Sequence, residues 1–83
     1  MQTKILRIHK DDNVAVALTV LYKGEQVNAE SFDAIELQEN ISAKHKFALK
    51  DLTEDDSIIM YGVLVGKATK FIPRGGLIST QNI

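Results

Sequence analysis

Two histidines, His9 and His45, carry the titratable chemistry of this chain, each inside a polar cluster: His9-Lys10-Asp11-Asp12-Asn13 and Lys44-His45-Lys46. An imidazole titrates near neutrality, so His45 beside two ammonium groups points to an anionic ligand, held as by a cation or worked on by a base. Strand alternation would place Lys44 and Lys46 on one face and His45 on the other, so all three serve one site only with a twist or bulge. The structural alternative for His45 is a partly buried imidazole satisfied by a backbone carbonyl, next to a solvated lysine. Asp12 and Asn13 have the chemistry to cap or turn the chain into the following strand. His9, His45 and one carboxylate would match a two-histidine, one-carboxylate metal pattern, but no spacing motif supports it. No cysteine is present, so a thiolate zinc site is excluded. No serine has a nucleophile's signature context, and Pro73-Arg74-Gly75-Gly76 reads as a turn, not a phosphate loop.

The elements that must position these residues are announced by a repeat. Val16-Ala17-Leu18 is followed by Leu21, Gly24 and Val27; Phe47-Ala48-Leu49 by Leu52, Asp55 and Ile58; Lys67-Ala68-Thr69 by Ile72, Gly75 and Ile78. Each copy has a small residue, an aliphatic four positions on, a turn residue three later and a further aliphatic three after that. Ala17, Ala48 and Ala68 are therefore expected buried at equivalent places, where backbones approach closely. Set in register, His45 stands where the other copies carry Val14 and Val65, and Lys46 where they carry Ala15 and Gly66.

Helical periodicity is absent, and short β-branched and aliphatic runs alternate with turn chemistry. Strands are expected at Ile5 to Ile8, Val14 to Leu18, Ala34 to Leu37, Lys46 to Leu49, Ser57 to Met60, Leu64 to Ala68 and Leu77 to Thr80. Single helical turns are expected at 20–23, 51–54 and 71–74. At 83 residues and 45% apolar composition the chain is one small all-β domain with a packed core. A net charge of -1 argues against nucleic acid as a partner. No apolar run approaches the roughly 20 residues that span a bilayer. Without cysteine or a signal-like start, the expected compartment is the cytoplasm.

Three motifs in order, Asp12-Asn13-Val14-Ala15-Val16-Ala17-Leu18, His45-Lys46-Phe47-Ala48-Leu49 and Tyr61-Gly62-Val63-Leu64-Val65-Gly66-Lys67-Ala68, resemble the amino-terminal SAF domain of the altronate and galactarate dehydratases. The resemblance implies a β-clip fold of short antiparallel strands over residues 1–83, as the N-terminal part or small subunit of a larger enzyme. It implies conversion of altronate to a 2-keto-3-deoxy sugar acid plus water, with iron or manganese held in the much larger catalytic body and no cofactor in this domain. Asn13, His45, Lys46, Gly62 and Gly66 match the family's motifs; Asn13, His45 and Lys46 are the substrate-binding candidates, and His45 the one catalytic candidate. The family often closes with His-x-His-Asn, whereas this chain has Ser79-Thr80-Gln81-Asn82. That departure favours a domain that covers or orders a site built elsewhere. The implied partners are the catalytic domain or large subunit and a sugar-acid substrate. The competing identities are a small subunit of a sulfolactate sulfo-lyase-type enzyme and a free-standing SAF-type binding module.

Overall fold

The computed structural model describes residues 4–7, 9–29, 32–79 and 82–83, with backbone alone at 29, 32 and 33. Among these residues eight strands run in chain order: β1 (Ile5–Leu6), β2 (Val14–Ala17), β3 (Gln26–Ala29), β4 (Phe32–Glu36), β5 (Lys46–Ala48), β6 (Ser57–Met60), β7 (Val63–Lys67) and β8 (Leu77–Ile78). Every pairing is antiparallel. A central sheet has the order β1-β2-β5-β8, and β3–β4 and β6–β7 form separate hairpins. The fold is the small all-β domain expected; the outer ends Ile8 and Thr80 of two expected strands lie outside the described residues.

The repeat has four copies, not three. The fourth is Leu37, Ile41, Lys44 and Phe47, at the same spacing as the others. In every copy the first, second and last of these positions are buried. The third position is the third residue of a β-turn and has positive φ: Gly24 at 88°, Lys44 at 71°, Asp55 at 74° and Gly75 at 86°. The fourth residue of each turn donates its N–H to the first residue's carbonyl: Glu25 to Tyr22, His45 to Ser42, Asp56 to Thr53 and Gly76 to Pro73, at 2.8–3.1 Å. Positive φ at the third turn position alone is the type II pattern.

The copies interlock in pairs. Gly24 N–H donates to Leu37 O, and Lys44 N–H to Ala17 O; Asp55 N–H donates to Ala68 O, and Gly75 N–H to Ala48 O. Leu21 bridges Ile41, and Leu52 bridges Ile72. The expected helical turns at 20–23, 51–54 and 71–74 are absent, because each segment runs through a bridge residue into one of these turns. A left-handed residue cannot continue a right-handed helix.

Two cores result, one on each face of the central sheet. Successive strand residues point to opposite faces. Ala15, Ala17 and Phe47 join Leu21, Val27, Ile35, Leu37 and Ile41 in one cluster, with Leu77 packed against it. Val14 and Ala48 join Leu52, Ile58, Met60, Ala68, Ile72 and Ile78 in the other, with Val16 and Ile83 against it. The first core contains Val27 and Ile35 of β3–β4, and the second Ile58 and Met60 of β6–β7.

Candidate functional site

His45 is set by its backbone. Its N–H closes the turn from Ser42 at 3.1 Å, and its carbonyl accepts the Ala17 N–H at 2.8 Å. In two sister turns the equivalent residue is an acid that braces the turn: Glu25 accepts the Tyr22 N–H at 3.2 Å, and Asp56 the Thr53 N–H at 2.8 Å. His45 makes no such brace. Its side chain is exposed, and nothing among the described residues hydrogen-bonds its imidazole. The partly buried, carbonyl-satisfied histidine is therefore not what the fold builds. Alternation does not separate His45 from Lys46 either, because Lys44 and His45 belong to the turn and β5 begins at Lys46.

Lys46 pairs with Val16 on one side and Ile78 on the other, half-buried in the central sheet. That pairing carries His45 to the end of β8. Asn82 holds the chain there: its Oδ1 accepts the Ser79 N–H at 2.8 Å, and its Nδ2 donates to the Leu77 carbonyl at 2.7 Å. Its backbone carbonyl accepts the Thr69 N–H at 2.9 Å. An open cleft of about 290 Å³ lies between, lined by His45, Lys46, Ile78, Ser79 and Ile83. An imidazole and an ammonium beside an apolar floor suit a carboxylate attached to a short carbon chain. A smaller cleft of about 180 Å³ adjoins it through Ser79, lined among others by Glu39, Lys70, Phe71 and Asn82. Glu39 Oε2 accepts the Leu77 N–H at 2.9 Å in its wall.

Asn13 lies elsewhere. Its Nδ2 donates to the Ser57 carbonyl and its Oδ1 accepts the Ile59 N–H, both at 2.8 Å, so its amide clips β6 to the start of β2. Gly62, in the β6–β7 turn, donates its N–H to Asp12 Oδ1 at 2.9 Å. Gly66 pairs with Ile58. Of the motif-matching residues, the fold brings together His45 and Lys46 and gives Asn13 and Gly62 backbone-organising contacts. Asp12, expected only to turn the chain, is a buried hub: its Oδ2 also accepts the His9 N–H at 3.0 Å. Burial pushes its carboxyl up, but the N–H donors of Gly62, Tyr61 and His9 and the charge of His9 bring it below the usual value. Ser79 and Ile83, not singled out as cleft residues, were signalled only by the closing motif and by their proximity to the end of β8.

Iron or manganese, implied for the complete enzyme, requires several nitrogen and oxygen donors converging on one point. Among the described residues no three His, Cys, Asp or Glu side chains converge in this way. His9 is taken up otherwise: its Nδ1 accepts the Asp11 N–H at 3.1 Å, and its ring lies over Gly62. The described residues therefore bring together no donor set for such a metal.

A family model described as the altronate/galactarate dehydratase SAF domain matches residues 3–83. An altronate dehydratase from Bacillus subtilis is 40% identical over 77 residues, 93% of this chain and 15% of that protein. A galactarate dehydratase (L-threo-forming) from Escherichia coli is 37% identical over 78 residues, 94% of this chain and 14% of that protein. A (2R)-sulfolactate sulfo-lyase subunit alpha from Chromohalobacter salexigens is 33% identical over 48 residues, 58% of this chain and 51% of that one. The chain thus spans about one-seventh of the dehydratases it matches.

Proposed function

The chain belongs to the SAF domain family of the altronate and galactarate dehydratases, and from that premise we propose that it is a non-catalytic accessory domain of a cytoplasmic sugar-acid hydro-lyase. The reaction is altronate to 2-keto-3-deoxygluconate plus water. A base removes the proton beside the carboxylate, the β-hydroxyl leaves with a proton as water, and the resulting enol becomes the ketone. A divalent metal in the catalytic body would stabilise the enediolate. The observation that carries this chain's share is the cleft where His45 and Lys46 meet Ser79 over Ile78 and Ile83. Lys46 supplies a fixed positive charge, and the His45 imidazole a hydrogen bond, to a substrate carboxylate held against the body. The body supplies the base and completes the site.

The test is kinetic. In the complete enzyme, His45→Ala is expected to lower kcat/KM for altronate by about tenfold or more, the effect of losing a hydrogen bond to a charged group. Because His45 is exposed, the same change is expected to alter folding stability by no more than about 0.5 kcal/mol. Retained turnover in His45→Gln would assign positioning and exclude proton transfer. Unchanged kinetics in both variants would remove His45 from the reaction.

A further inference from the structure

The β6–β7 hairpin carries a continuous apolar run into solvent: Tyr61 is 56% exposed, Val63 57%, Leu64 58% and Val65 48%. A strand resting on its own core hides one of its two faces. β7 hides neither, and all its residues but the half-buried Gly66 are exposed. Its other edge is open as well among the described residues: there it pairs with β6 alone, and no further backbone hydrogen bond reaches Val63–Lys67. Ile58 pairs with Gly66 and Ile59 with Leu64, so Val65 is the extra residue of a bulge.

The tip of the hairpin is held in an unusual conformation. Met60 pairs with Val63 across the two-residue loop Tyr61-Gly62, and both loop residues have positive φ, 58° and 73°. That is the type I′ pattern, usually built from Asn and Gly; a bulky tyrosine there carries backbone strain. Asp12 grips the loop through the Gly62 N–H at 2.9 Å, and the His9 ring lies against Gly62. The Tyr61 side chain at this tip stays exposed.

We infer that the outer edge of β7, with Tyr61 at its tip, receives an extended segment of the dehydratase body and takes it as an added strand. This rests on the reading of the chain as an accessory domain. The occupant follows from proportion: the chain matches 15% of the Bacillus subtilis altronate dehydratase, so in that relative the same polypeptide carries a body several times larger. An open strand edge offers such a body main-chain hydrogen bonds, and Val63, Leu64 and Val65 offer apolar contact on either side. The only charge on β7, Lys67, lies at its far end.

The experiment is amide hydrogen exchange on the complete enzyme and on the 83-residue chain alone. Exchange at Val63–Lys67 is expected to be about tenfold or more slower in the complete enzyme. Leu64→Lys with Val65→Lys is expected to abolish that protection without moving the chain's melting temperature, since both side chains are already exposed. Equal β7 exchange in an active enzyme overturns the inference and leaves the functional reading standing. A concentration-dependent dimer of the chain alone, lost in the double variant, also overturns it by assigning the edge to a second copy. Protected β7 amides in an assembly that turns over no sugar acid support the docking and overturn the reaction.

Discussion

The carboxylate of Asp12 accepts the N–H of Gly62, fifty residues further along the chain, at 2.9 Å. Its other oxygen takes the N–H of His9 at 3.0 Å, so one buried side chain ties the β1–β2 connection to the tip of the β6–β7 hairpin. Arg7 reinforces the connection by donating to the Asp12 carbonyl at 3.0 and 3.2 Å.

Asp12→Asn is expected to lower folding stability by about 1–3 kcal/mol, because an amide accepts through one oxygen only and turns its NH₂ toward a backbone donor. The native carboxyl is held below its ordinary value of 3.8. A depressed folded-state pKa contributes stability that is whole above the unfolded value and is lost as pH falls through the folded one. Melting temperatures taken from neutral pH down to about 2 should therefore fall for the native chain below the ordinary carboxylate range, and fall less for Asp12→Asn. Parallel curves would deny Asp12 this role.

Ala17, Ala48 and Ala68 are fully buried at the head of three copies, and the fourth copy places an equally buried Leu37 there. Opposite changes of size at this position should both destabilise, for different reasons. Enlarging Ala48 to Leu is expected to cost about 1–3 kcal/mol by overpacking. Shrinking Leu37 to Ala is expected to cost about 2–5 kcal/mol by leaving a cavity. Urea unfolding of both variants measures the contrast; a neutral Ala48→Leu would mean the second core has slack.

Gly24 and Gly75 occupy matching turn positions, with φ of 88° and 86°. Nothing lies within 4 Å of a Cβ placed on Gly24, whereas one on Gly75 collides with the Glu36 carbonyl. Gly24→Ala is expected to cost about 1–2 kcal/mol, the penalty of a left-handed conformation alone. Gly75→Ala is expected to cost clearly more, since backbone must move. Equal losses in thermal or urea unfolding would contradict the packing around Gly75.

Most strands, three of the four type II turns and three copies of the repeat were legible in the amino-acid sequence, because alternating aliphatics, Gly, Asp and small residues report local preferences directly. The fourth copy was hidden by Leu37 in place of alanine and Lys44 in place of a turn former. Lys44 takes positive φ because its N–H and the following carbonyl of His45 are both claimed by Ala17, at 2.6 and 2.8 Å. That is a tertiary constraint and leaves no mark in local propensity. β3 escaped notice for a related reason: in Gln26-Val27-Asn28-Ala29, Val27 is the one large apolar side chain, and its partner Ile35 lies in the next strand. The motifs marked His45 and Lys46, but not their neighbours. Their meeting with Ser79 depends on the antiparallel register of Lys46 with Ile78, a pairing between distant segments that only the folded chain decides.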